Sequence, residues 1–274
     1  MYFTDGWFPT FLRTLYVHEC RKLEFLPTLE KMNFFEFLEQ LFIGSSCDSL
    51  KSIPMNLFLK LQILCIWDCP NLEFLSIEEF QNSNLSLESL EIRDCSNLVS
   101  FPTKGLISPN LRSLSVYNCK NLRSLPNYMT SLTSLQSVSA VQCPELDSLP
   151  ARGLPSCLKL LSIAFCDKLI PQKLWNLQML HYLYRFEMES GCVNMKSFPE
   201  KDLFPINLNS LYISKLPSLE LLNHNGFQQL TALGSLGINC CEKLYSLPEV
   251  LPSSLTFLCI KESSMLSQKL LNQA

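Results

Sequence analysis

Leu111-Arg-Ser-Leu114-Ser-Val116-Tyr-Asn-Cys119-Lys-Asn-Leu122-Arg-Ser-Leu125-Pro126 and Leu87-Glu-Ser-Leu90-Glu-Ile92-Arg-Asp-Cys95-Ser-Asn-Leu98-Val-Ser-Phe101-Pro102 match position for position, without a gap. In looser form the phrase occurs eleven times, starting at Leu12, Leu38, Leu61, Leu87, Leu111, Leu135, Leu158, Leu183, Leu208, Leu233 and Leu255. The steps between starts are 26, 23, 26, 24, 24, 23, 25, 25, 25 and 22 residues. Within the phrase, Leu114 and Val116 alternate with Ser113, Ser115 and Tyr117, the period-two pattern of a half-buried strand. Cys119 and Leu122 follow at a spacing that turns them back inward. One copy cannot bury such a column alone, so the copies must stack, each covering its neighbour.

A period of 20 to 29 residues built on this pattern predicts a leucine-rich-repeat solenoid. The expected form is a curved horseshoe of about eleven repeats of 22–26 residues. A parallel β-sheet lines its concave face; turns, 3₁₀ pieces and few short helices form the convex face. Pro27, Pro54, Pro102, Pro126, Pro150, Pro199 and Pro248 end most copies, each removing a donor and fixing φ where the chain turns outward. Pro9, Pro109, Pro155, Pro205 and Pro252, shortly before the next copy, argue against long convex helices. The stretch 172–186, which lacks Gly and Pro, is expected to hold a true helix. No linker or composition shift interrupts residues 1–274, so one domain is expected. Neither end supplies an evident polar cap, so Trp7, Phe8, Phe11, Leu266, Leu270 and Leu271 are expected to be partly exposed.

Composition narrows the partners. Net charge is −3 and the 22 Lys and Arg are scattered, which offers no stripe to nucleic acid and no basic segment to a membrane. The most apolar stretch, 57–67, is interrupted by Lys60 and Gln62, too short for the ~20 residues that span a bilayer. Residues 1–17 show no signal-peptide pattern, and Asn84-Leu85-Ser86 is the single glycosylation sequon. A cytoplasmic protein is expected.

Nine of the thirteen cysteines (20, 47, 69, 95, 119, 143, 166, 192 and 241) fall at the inward turn of their copy, with one inserted residue in copies two and eight. A small thiol at a tight inner turn reaches a neighbouring carbonyl, so these nine are expected buried and reduced. Cys65 with Cys69 and Cys240 with Cys241 match no zinc spacing. His18, His181 and His224 complete no triad pattern; the register sets no cation beside the outward Cys65 or Cys259. Glu88, Glu91, Asp94 and Asp68 read as solvated charges of the face. Neither an enzyme nor a cofactor or metal site is expected.

The runs Cys69-Pro-Asn-Leu72, Cys119-Lys-Asn-Leu-Arg-Ser-Leu-Pro126 and Cys143-Pro-Glu-Leu-Asp-Ser-Leu-Pro150, with the spacers Gly105-Leu-Ile-Ser-Pro-Asn-Leu111 and Gly153-Leu-Pro-Ser-Cys-Leu158, resemble the C-terminal repeats of plant intracellular nucleotide-binding leucine-rich-repeat disease-resistance proteins, in particular the coiled-coil class. The resemblance covers essentially the whole chain. It implies a recognition module of an innate-immune receptor, with a pathogen effector or the receptor's own nucleotide-binding domain as protein partner. The family's phosphate loop and Met-His-Asp motif are absent from these 274 residues, and the sequence reads as a fragment or truncated product. The rival reading is an intracellular leucine-rich-repeat scaffold or ubiquitin-ligase adaptor, which shares the fold; no F-box-like helical segment accompanies the repeats.

The register places one residue per strand in a row: His18, Gly44, Trp67, Arg93, Tyr117, Val141, Ala164, Glu189, Ser214, Asn239 and Lys261. Trp67, Arg93 and Tyr117 are consecutive there, and these are the residue types that dominate protein interfaces. Beside them run Asp68, Asp94 and Asn118. These six are the candidate partner-binding residues. A purely structural role is also open, with Arg93 stacked between the two aromatics and paired with a neighbouring Asp.

Overall fold

The computed structural model describes residues 11–23, 35–77, 85–103, 105–150, 153–169, 175–191 and 194–266. Its main feature is an eleven-stranded sheet whose strand order follows the chain. The strands are Thr14–His18, Gln40–Gly44, Ile63–Trp67, Ser89–Arg93, Ser113–Tyr117, Ser137–Val141, Leu160–Ala164, Arg185–Glu189, Ser210–Ser214, Ser235–Asn239 and Phe257–Lys261. Each pairs in parallel with the next and always in the same register, as in Trp67↔Arg93 and Arg93↔Tyr117. With the leading leucine of each repeat as position 1, positions 4 and 6 face inward. Leu114, Val116, Leu90 and Ile92 are fully buried there, while positions 3, 5 and 7 of the same strands face out. The leucines at position 1 are buried from Leu38 to Leu233. Burying such a side chain stabilises by roughly 1.5–3 kcal/mol, so the solenoid is held mainly by its columns.

Two tight turns close a coil. At the start, the position 1 N–H donates to the carbonyl three residues back, as Leu111 does to Ser108 and Leu158 to Pro155 (both 3.1 Å). After the strand, Leu122 N–H donates in the same way to the Cys119 carbonyl (3.1 Å). Between strand and second turn stands a residue in the left-handed region in every repeat: Glu19, Ser45, Asp68, Asp94, Asn118, Gln142, Phe165, Ser190, Lys215, Cys240 and Glu262, with φ between 46° and 62°. None is glycine. The N–H of this position 8 residue donates to the next strand's last carbonyl, as Asp68 does to Arg93 (3.0 Å) and Gln142 to Ala164 (2.8 Å). That inter-coil bond offsets part of the cost of about 1–3 kcal/mol that a non-glycine residue incurs there.

The cysteines at position 9 form a column of hydrogen bonds. Each thiol lies within reach of the carbonyl two residues back: Cys95 to Arg93 (3.3 Å), Cys119 to Tyr117 (3.4 Å), Cys143 to Val141 (3.4 Å) and Cys241 to Asn239 (3.4 Å). In repeat two Ser46 takes this role, donating to the Gly44 carbonyl (2.7 Å) and accepting from Cys20 N–H (2.9 Å). Cys47 is buried one residue further on and supplies the turn carbonyl to Leu50 (2.7 Å). The inserted residue therefore splits between two side chains what one cysteine does elsewhere. Ser263 occupies the slot in repeat eleven and Leu216 in repeat nine. Burial pushes the Cys47 and Cys95 thiols up to about 12 and Cys69 to about 11. For Cys119 and Cys166 the side-chain hydrogen bond to Cys143, and then burial, raise the thiol. The expectation of nine buried thiols fails at Cys20, which is exposed in the first of these coils. Cys192 lies outside the described residues.

The far side of the coils is irregular. Short parallel pairs form there, Ser52–Pro54 with Phe74–Ser76 and Ser197–Phe198 with Leu221–Leu222. The 3₁₀ turns Met55–Leu57, Met129–Ser131 and Leu177–Met179 lead back toward the sheet. Two repeats share one turn: Gly105 N–H donates to the Pro102 carbonyl (2.8 Å) and Gly153 N–H to Pro150 (2.7 Å), both glycines at positive φ. The helix expected over 172–186 is not formed among its described residues. Asn176, at φ 53°, caps the 3₁₀ turn, and the strand begins at Arg185, because Leu183 must lead the sheet. An α-helix forms instead at His224–Gln228, and it contains Gly226, where a β-carbon would meet the Pro199 carbonyl oxygen at 2.2 Å. At the ends, Phe11 is exposed as expected, but Leu266, in the helical turn at 264–266 after the last strand, is buried in the core cluster. Trp7, Phe8, Leu270 and Leu271 lie outside the described residues.

Candidate functional site

The eleven residues read as one row do lie side by side at the last position of adjacent strands. Strands ~4.8 Å apart present these side chains as a continuous file. Trp67 and Tyr117 are half-buried, and Arg93, Asp68 and Asp94 are exposed.

The six candidates do not form one cluster. Arg93 turns toward repeat five, where its guanidinium lies 4.6 Å from the centre of the Tyr117 ring. Its charge is met by Glu91 on its own strand, not by an aspartate. Trp67 turns the other way, over Gly44. Its ring centre is 5.6 Å from that of Tyr16 and 5.8 Å from His18. Tyr16 in turn stands 5.9 Å from Phe42. Stacking of Arg93 between both aromatics is thus replaced by stacking on one, since the space above glycine draws the indole away.

At position 8, Asn118 Nδ2 donates to Asp94 Oδ1 (2.6 Å) and Ser45 Oγ to Asp68 Oδ2 (2.8 Å). Both donors are neutral, so neither bond supplies a countercharge to its carboxylate. Tyr16, Phe42 and Gly44 were not singled out from sequence. The signal was there: Tyr16 and Phe42 are the position 5 residues of the two repeats preceding Trp67.

A second feature lies over repeats seven to nine, a pocket of about 130 Å³ lined by Ser162, Ile163, Ala164, Arg185, Glu187, Glu189 and Tyr212. Its charges are internally matched. Arg185 Nη2 meets Glu187 at 2.5 Å, and Lys215 Nζ meets Glu189 at 2.8 Å and lies 5.0 Å over the Phe165 ring. Burial, then the nearby Glu91 charge, raises the outward thiol Cys65 to about 11. Among the described residues no group of three His, Cys, Asp or Glu side chains is placed to hold a metal ion. No helix among them is long and apolar enough to cross a membrane.

A single-file parallel sheet, one strand per 22–26-residue coil with an apolar column beneath it, defines the chain as a leucine-rich-repeat solenoid. Its curated relatives are plant disease-resistance proteins, and its solenoid fits the leucine-rich-repeat region of such a protein. One, an Arabidopsis thaliana protein named for disease resistance, is 42% identical over 262 residues, 95% of this chain and 18% of the relative. A second from the same plant, named as a disease resistance RPP13-like protein, is 34% identical over 112 residues, 39% of this chain and 10% of that relative. The chain therefore spans less than a fifth of the length of either relative. No protein-family model matches it.

Proposed function

We propose that this chain is the recognition module of a cytoplasmic plant innate-immune receptor and carries out no chemistry itself. Its partner is a protein, either a pathogen effector or the receptor's own nucleotide-binding domain, held on the concave sheet face. Trp67, Asp68, Arg93, Asp94, Tyr117 and Asn118 contact that partner, joined by Tyr16 and Phe42.

One observation carries this reading: four aromatic rings, Tyr16, His18, Phe42 and Trp67, gather on the solvent side of the sheet, with Tyr16 61% exposed. The sheet's inner face is already filled by its apolar columns, so these rings are not needed for the core. Large aromatics at a rigid, partly exposed position are what interface anchors are made of.

The test is capture of partner from plant tissue by the wild-type chain and by the double variant Trp67→Ala, Tyr117→Ala. Capture is expected to be lost while the circular-dichroism spectrum and melting temperature stay nearly unchanged. Capture that survives this double change but disappears on Tyr212→Ala, Lys215→Ala would move the site to the other end.

A further inference from the structure

We infer that the occupant of repeats one to four is a basic, arginine-bearing segment of the protein partner, an inference that rests on the reading of this face as a protein-binding surface. The argument starts from charge. At positions 5, 7 and 8 of these repeats stand Tyr16, His18 and Glu19; Phe42, Gly44 and Ser45; Cys65, Trp67 and Asp68; Glu91, Arg93 and Asp94. Four carboxylates face one guanidinium, and that guanidinium is already paired with Glu91. Glu19, Asp68 and Asp94 have no cationic partner among the described residues, and Asp68 and Asp94 accept only neutral donors.

Repeats seven to nine give the contrast on the same face. There Glu187 and Glu189 are each met by a cation. Among the described residues, carboxylates of this face without a cation therefore gather at the end of the sheet that also carries the aromatic cluster; at the far end Glu262 stands alone and accepts from the Cys240 thiol (3.0 Å). Carboxylates in a row beside exposed ring faces suit a cation that is also planar. Arginine stacks on aromatic faces and forks its donors onto carboxylates, whereas lysine offers a compact, strongly hydrated charge. An acidic segment would be repelled by Glu19, Asp68 and Asp94, and nucleic acid likewise.

The experiment measures binding of fluorescent hexa-arginine, hexa-lysine and hexa-glutamate peptides to the full chain by anisotropy. Two double variants remove the same amount of negative charge: Asp68→Asn, Asp94→Asn on the proposed face, and Glu187→Gln, Glu189→Gln on the matched one. Asparagine tolerates the left-handed backbone at 68 and 94, so the first variant keeps its fold. Hexa-arginine is expected to bind more tightly than hexa-lysine, and to weaken about ten-fold, some 1.4 kcal/mol, in the aspartate variant only. Equal weakening in both variants, or binding of hexa-glutamate, overturns the proposal. The partner captured from tissue separates the two levels. If its binding needs Trp67 and Tyr117 but is indifferent to Asp68→Asn, Asp94→Asn, the basic segment is wrong and the recognition face stands. If its binding ignores Trp67 and Tyr117, the recognition reading itself falls.

Discussion

The indole of Trp67 lies so close above Gly44 that a β-carbon on Gly44 would sit 1.8 Å from Trp67 Cε2. The relationship recurs near the other end of the sheet, where a β-carbon on Gly237 would lie 2.3 Å from Cδ2 of Tyr212. In both places a glycine on the outward face is the seat of an aromatic ring from a neighbouring strand. Gly44 is not at positive φ, so its backbone accepts any residue and only the space matters. Gly44→Ala is therefore expected to displace the indole toward water at small cost in stability. A red shift of tryptophan emission with a nearly unchanged melting temperature is the predicted result, together with weakened partner capture. Unchanged emission would mean that Trp67 does not rest there.

Stability at alkaline pH should report on the cysteine column. The thiols of Cys47 and Cys95, ordinarily at 9.0, are pushed up to about 12 by burial. Between these values the unfolded chain has lost those protons and the folded chain keeps them, so stability falls as pH rises; below pH 9 these thiols change nothing. Each pH unit in that window costs about 1.4 kcal/mol per thiol. Urea midpoints from pH 7.5 to 10.5 should fall less steeply in Cys95→Ser, whose hydroxyl can fill the slot as Ser46 and Ser263 do. An identical slope in the variant would remove Cys95 from the explanation.

The left-handed position 8 offers a stabilising change. Gln142 is exposed at φ 55° and its N–H holds the inter-coil bond to Ala164. Asparagine adopts this backbone more readily than glutamine and valine far less so. Gln142→Asn is expected to raise stability by up to about 1 kcal/mol and Gln142→Val to lower it by at least as much. Chemical denaturation of the three proteins checks the order; valine matching the wild type would show that the backbone relaxes.

The repeat phrase gave away the strands, their register and the row from His18 to Lys261, because an inward leucine every other residue leaves one pairing in which all columns are buried. Other features were not legible. Which way a side chain leans along the row depends on where a neighbour leaves room, so Trp67 went to Gly44 and away from Arg93. The shared slot of Ser46 and Cys47 depends on how an inserted residue is absorbed, which the spacing does not encode. The absence of Gly and Pro pointed to 172–186 for a helix, yet the sheet claims Arg185 onward. The short helix formed around Gly226 instead, a residue chosen for its closeness to Pro199. Asp68, Asp94 and Asn118 hinted at a left-handed position, but Phe165 and Lys215 at the same place hid the rule.

The same position in the last two strands allows a direct measure of what stacking contributes. Leu236 and Leu258 are register partners at position 4. Leu236 is fully buried between coils, whereas Leu258, with one neighbouring strand in the described sheet, is 42% exposed. A fully buried leucine loses about 2–5 kcal/mol on truncation to alanine, through lost transfer energy and the cavity left behind. At Leu258 much of the transfer term is already absent, and the open side can relax without a cavity. Leu236→Ala should therefore cost several-fold more stability than Leu258→Ala. Paired denaturant titrations of the two variants decide this. Equal losses would mean that position 258 is covered in solution by something that packs against the last strand as one coil packs against the next.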